Sequence, residues 1–138
     1  MEKKKYDKTY LNLIEKINDI AGIRIVCTLK DDIFFIRDLV KQIPDIHVLK
    51  EKDYVTNPKE SGYSSYHMIV EVPVKLTQKT IYVKCEIQIR TLAMDFWASF
   101  EHKVKYKTKN DVNPKMSKEL VSCAKMINKF DTKMINYK

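Results

Sequence analysis

A mixed α+β fold, one β-sheet flanked by helices, is what this sequence predicts, and three observations carry the prediction. Apolar residues at helical spacing alternate with β-branched runs in the order α-β-α-β-loop-β-β-α-α, which is a layered pattern. The chain has 138 residues, enough for one domain, so 1–138 is read as a single unit. Hydrophobic residues make up 44%, which supports a buried core rather than disorder.

The elements follow in chain order. Residues 6–18 place Tyr10, Leu11, Ile14 and Ile17 on one helical face, and Gly22 breaks that helix. GIRIVCTL at 22–29 is apolar and β-branched and is expected as a buried strand. Asp31 or Asp32 caps a helix over 32–43, with Ile33, Phe34, Ile36, Val40 and Ile43 on one face and Pro44 as its stop. A strand at 46–50 leads into the polar stretch 51–64, with Pro58 and Gly62, the clearest loop in the chain. Strands at 65–74 and 80–90 follow, then a helix over 92–106. Asn113 and Pro114 open a last helix to about residue 136, with Leu120, Ala124, Ile127 and Met134 as its stripe.

The charge balance is +8, with a pI near 9.3, which favours an anionic partner such as a nucleotide, RNA or acidic lipid without choosing among them. Cys27, Cys85 and Cys123 form no CxxC pair. Disulfides and zinc are not expected, and a reduced cytoplasmic setting is. The N-terminus has no apolar core of a signal peptide, and no run is long enough to span a membrane.

The strand at 80–90 is the most informative. Ile81, Val83, Cys85, Ile87 and Ile89 point one way, and Tyr82, Lys84, Glu86, Gln88 and Arg90 the other. Such a polar row suits a charged ligand or an exposed antiparallel face. The loop offers cations at Lys52 and Lys59, close approach at Gly62, and a ring at Tyr63 on which a base would stack. His67 begins the next strand, with Ser65 on its face; an ordinary surface loop is the competing reading. Asp19 and Glu86 are two carboxylates suited to sharing Mg²⁺, although Asp19 also suits a turn or cap. Met94, Phe96, Trp97 and Phe100 read as a packing face, and Glu101 and His102 as a salt bridge or orienting pair rather than zinc ligands, because no HExxH is present.

NDIAGIRIVC (18–27), KDYVTNPKESGYSSYH (52–67) and EIQIRTLAMDFWASFEHKVKYK (86–107) resemble, in order, the signatures of the synthetase domain of RelA/SpoT homologues. MDFWASFEH is closest to the small alarmone synthetases. The resemblance implies a nucleotidyltransferase-like sheet flanked by helices. It implies transfer of a pyrophosphoryl group from ATP to the 3′-OH of GDP or GTP, with Mg²⁺ and a homotetrameric assembly. It places the metal-binding acid on Asp19 and the catalytic acid, which assists the metal or takes the 3′-OH proton, on Glu86. It places the guanine-stacking ring on Tyr63 and further substrate contacts on His67, Gln88, Arg90, Lys52, Lys59 and Arg24. Neither DNA nor a membrane is expected as partner.

Two departures weigh on this. The family loop reads close to KPNGYRSxH, whereas Glu60, Ser61 and Ser64 stand here, which bears on guanine selectivity. The family's Arg-rich ATP-clamping segment has no counterpart in MEKKKYDKTYLNLIEKI, so slow synthesis and a preference for guanine nucleotide over ATP are expected. A non-catalytic homologue that binds guanine nucleotide or single-stranded RNA is the alternative. A polymerase-like nucleotidyltransferase ranks last, because it has no need of the EIQIRT–EHKxxYK pairing.

Overall fold

The structure is a computed structural model that describes residues 21–109 and 111–137. The expected helix at 6–18, and Asp19, lie outside the described residues. The described elements are β1 (Ala21–Cys27), α1 (Lys30–Gln42), β2 (His47–Asp53), β3 (Tyr66–Lys75), β4 (Thr80–Thr91), α2 (Leu92–Lys107) and α3 (Pro114–Met134). A 3-10 turn at Ile135–Tyr137 follows. No helix among them is long and apolar enough to cross a membrane.

The four strands form one mixed sheet in the order β1-β4-β3-β2. β2, β3 and β4 are antiparallel neighbours, and β1 lies parallel to β4, with Ala21 opposite Cys85. The expected mixed sheet flanked by helices is therefore present. One face is apolar: Tyr66, Met68 and Val70 of β3 and Cys85, Ile87 and Ile89 of β4 pack with Ile33 and Val40 of α1. Each such fully buried side chain contributes about 1.5–3 kcal/mol.

Three local expectations are corrected. Among the described residues the strand around Gly22 is an edge strand with one neighbour, and Ile23 is 50% exposed rather than buried. Leu29, not an aspartate, precedes α1. Asp32 instead reaches back one turn to accept the Leu29 N–H at 3.2 Å. β2 runs on to Asp53, past the expected end. Glu51 gives the extension a reason, because it accepts from the Tyr66 hydroxyl at 2.7 Å and pairs with Lys41 at 2.9 Å.

At the other end of the sheet, Thr91 stops β4 and caps α2 by accepting the Met94 N–H at 3.1 Å. Its hydroxyl donates to Asp131 of α3 at 2.7 Å, with both residues buried. Trp97 donates its indole N–H to the Leu120 carbonyl at 2.9 Å, which locks α2 to α3. Asn113 caps α3 as expected, accepting from Met116 N–H at 2.8 Å. The packing face of α2 is narrower than expected: Met94 and Trp97 are buried, whereas Phe96 and Phe100 are exposed.

Candidate functional site

The polar face of β4 carries the candidate site. Glu86 lies opposite Gly22 of β1 and Ile69 of β3, while Gln88 lies opposite Arg24 and His67. His67 in turn lies opposite Lys52. Residues paired across a sheet share a face, so Arg24, Gln88, His67 and Lys52 form a row beside Glu86. Lys52 therefore reaches the site from a strand and not from the loop.

Two concavities open on this face. One, of about 310 Å³, is lined by Gly22, Ile23, Arg24, Glu86 and Gln88. The other, of about 120 Å³, is lined by Lys50, Lys52, His67, Ile69 and Glu86. Glu86 belongs to both. Gly22 helps to open the first, because the residue across from Glu86 carries no side chain.

The β2–β3 loop is built by local hydrogen bonds. Asp53 accepts from the backbone N–H groups of Val55 and Thr56, each at 2.9 Å, and Tyr54 N–H donates to Ser65 C=O at 3.0 Å. Lys59 and Gly62 close a tight turn, with Gly62 N–H donating to Lys59 C=O at 2.8 Å and Gly62 at φ 96°. This turn delivers Tyr63 to the site. Its hydroxyl lies 2.9 Å from His67 Nε2, and it accepts from Arg90 Nη2 at 2.9 Å. The Lys59 ammonium lies 5.3 Å from the Tyr63 ring centre and the Arg90 guanidinium 5.5 Å, so a base on this ring would sit among cations.

Among the described residues, the carboxylate of Glu86 is held on one oxygen. Oε1 accepts from Gln88 Nε2 at 2.9 Å, and His67 Nδ1 lies 3.4 Å from the same atom. Burial, with help from Arg90, Lys59 and Lys52, holds the His67 imidazole below its ordinary pKa against the opposing pull of Glu86. His67 is therefore neutral at physiological pH.

Arg90 and Ser65 depart from expectation. Arg90 is 3% exposed, and its terminal nitrogens face Tyr63, Gln88 and, at 3.5 Å, Asp95. Ser65 is fully buried and donates to the Ile89 carbonyl at 3.3 Å, so it does not face the site. Glu101 forms the expected kind of salt bridge, with Lys105 at 3.6 Å. Asp95 and Lys50 were not singled out in the sequence. Asp95 pairs with both Arg24 and Arg90, and its place just inside the first turn of a helix that follows a basic strand end was the available signal.

A hard divalent cation is held by oxygen ligands, and Mg²⁺ commonly takes one or two carboxylates plus substrate phosphates. Among the described residues no cluster of three His, Cys, Asp or Glu side chains exists. Glu86 fits the role of a single protein carboxylate, because it opens onto both concavities and, among the described residues, has only one oxygen engaged.

The family profile described as a region found in RelA / SpoT proteins matches residues 1–111. GTP pyrophosphokinase YwaC of Bacillus subtilis (strain 168) is 49% identical over 124 residues, 90% of this chain and 59% of that protein. GTP pyrophosphokinase YjbM of the same organism is 37% identical over 134 residues, 97% of this chain and 64% of that protein. The chain thus spans about three-fifths of the length of these curated relatives. The crystal structure of small alarmone synthetase 1 from Bacillus subtilis, bound to its product pppGpp, superimposes with a TM-score of 0.84 at 38% identity, covering 92% of this chain and 66% of that one. With the motifs in order, the sheet topology matched and the profile covering most of its length, the chain belongs to the RelA/SpoT family.

Proposed function

We propose that this protein is a (p)ppGpp synthetase that transfers a pyrophosphoryl group from ATP to the ribose 3′-OH of GDP or GTP. The observation that carries the reading is the position of Glu86, which lines both concavities. A two-substrate transfer needs one group that reaches both nucleotides, with cations around it to offset phosphate charge. Arg24 flanks one concavity, and Lys50 and Lys52 flank the other. Support also comes from the relatives: small alarmone synthetase 1 is described with pppGpp and, in another structure, with AMPCPP.

In this reading the Glu86 carboxylate takes the 3′-OH proton or helps to hold Mg²⁺, with Asp19 as the second acid. Mg²⁺, when bound, supplies charge neutralisation on the transferred phosphates. Tyr63 stacks on guanine, Lys59 and Lys52 face its phosphates, and neutral His67 with Gln88 orients Glu86. A cytoplasmic setting suits the nucleotide substrates and the three free cysteines. The exposed ridge of Leu92, Phe96 and Phe100 on α2 supports a homo-oligomer. A second reading, binding of guanine nucleotide or single-stranded RNA without turnover, draws on Glu60 and on Ser61, whose hydroxyl is occupied by the Tyr63 N–H at 3.4 Å.

The test is incubation with labelled ATP, GDP or GTP and Mg²⁺, with products resolved, for the native sequence and Glu86→Gln. Synthesis that falls on the order of 10²-fold or more in Glu86→Gln, with unchanged thermal stability, supports the proposal. Binding without any synthesis by the native sequence favours the second reading.

A further inference from the structure

We infer that Arg90 is a positioning residue: held near Asp95, it fixes Tyr63 and Gln88 so that His67 carries its proton on Nδ1 and Glu86 keeps Oε2 for the reaction. The inference rests on the synthetase reading for its consequence, but its geometry stands separately.

A guanidinium only donates. Arg90 Nη2 donates to the Tyr63 hydroxyl and to the Gln88 side-chain oxygen. With its oxygen so occupied, Gln88 must turn its NH₂ toward Glu86, which it meets at Oε1. The Tyr63 oxygen accepts from Arg90, so its own single proton is free for the atom on its other side, His67 Nε2 at 2.9 Å. With Nε2 accepting the Tyr63 proton, the proton of the His67 ring sits on Nδ1, 3.4 Å from Glu86 Oε1. The opposite tautomer would set two lone pairs, Nδ1 and Oε1, against each other.

The five side chains thus close a circuit from Arg90 through Tyr63 and His67 to Glu86, and through Gln88 back to Arg90. Both contacts to Glu86 fall on Oε1. Oε2, which takes neither, is the oxygen turned to substrate. The placement of Arg90 agrees with this role. It is 3% exposed, its Nε has no hydrogen-bond partner among the described residues, and Asp95 stands 3.5 Å away, so it is neither available to bind a nucleotide nor tightly paired for stability. What it does is orient two neutral side chains.

The experiment combines nitrogen-15 NMR of the histidine rings, on protein without added nucleotide, with steady-state kinetics. The variants are Arg90→Met, Arg90→Lys and Tyr63→Phe; Tyr63→Phe keeps the ring and removes only the link, so it decides the matter if Arg90→Met fails to fold. The native protein should show His67 as the Nδ1–H tautomer at neutral pH. Tyr63→Phe and Arg90→Met should move it toward Nε2–H and lower kcat by about 10-fold or more, with KM for ATP little changed. Arg90→Lys should recover part of both. A native Nε2–H tautomer, or an unmoved tautomer in Tyr63→Phe, overturns the inference. Absence of synthesis in the native protein overturns the functional reading instead, while the tautomer still decides the role of Arg90.

Discussion

A Cβ on Gly62 would lie 2.6 Å from the Cβ of Ala124 and 3.2 Å from Cζ2 of Trp97. The loop that presents Tyr63 therefore rests on the α2–α3 pair without spare room. Gly62→Ala should destabilise the fold by more than about 1 kcal/mol, because it adds this clash to an unfavourable φ of 96°. Adding Ala124→Gly should restore the steric part and leave the backbone part. Thermal unfolding of the two single variants and the double variant measures this; additive losses would show that the contact carries no energy.

Gly22 makes the contrasting case. Among the described residues, a Cβ there would meet nothing within 4 Å. Gly22→Val should fold with unchanged or slightly raised stability, since a β-branched residue suits a strand. It should also fill the concavity beside Glu86 and reduce synthesis by at least about 10-fold, the loss of well-formed approach geometry. Full activity together with normal folding would mean that substrate does not use that concavity.

Tyr63 is tied into the fold more firmly than a loop tyrosine is expected to be. Its hydroxyl serves both Arg90 and His67, so Tyr63→Ala and Tyr63→Phe should lower stability by similar amounts, about 1–3 kcal/mol for stranding a buried donor. Only Tyr63→Ala removes the stacking plane, and it should weaken GDP or GTP binding by a further 1–3 kcal/mol, roughly. Calorimetry on the two variants separates the effects. Equal affinity in both would take guanine off this ring.

Burial raises the pKa of Asp131 above the ordinary aspartate value, against the opposing effects of the Thr91 hydrogen bond and of Lys30. Below the unfolded pKa both states hold the proton and stability is complete. As pH rises through the raised folded value, the unfolded chain has already released its proton and stability is lost. Asp131→Asn keeps an acceptor for the Thr91 hydroxyl and removes the charge. It should be more stable than the native protein near neutral pH, with the gap closing as pH falls into the carboxylate range. Thermal melts across pH read this, and a gap that widens on acidification would reverse the assignment.

Much of this was legible in the sequence. Period-two alternation placed Cys85, Ile87 and Ile89 in the core and Glu86 and Gln88 on the other face, because side-chain direction along a strand is fixed locally. The stripe from Leu120 to Met134 was legible for the same reason at helical period. What was not legible depends on long-range partners. Arg90 alternates with its polar neighbours, yet Asp95 and Tyr63 draw it inward. Asp131 falls on the apolar stripe of α3, one turn after Ile127, and only Thr91 explains it. GIRIVC has the composition of a central strand, and nothing local marks it as an edge.

That edge strand has a consequence for how the chain is made. β2, β3 and β4 are antiparallel neighbours in sequence and can zip together soon after they emerge. β1 precedes them all, yet among the described residues its only strand partner is β4, in parallel, with Gly22 beside Glu86 and Arg24 beside Gln88. During synthesis this β1 pairing cannot form until β4 has left the ribosome. Closing this distant pairing also builds the concavity on Glu86, so the chain acquires its candidate site late in folding, after the meander that holds Tyr63 and His67.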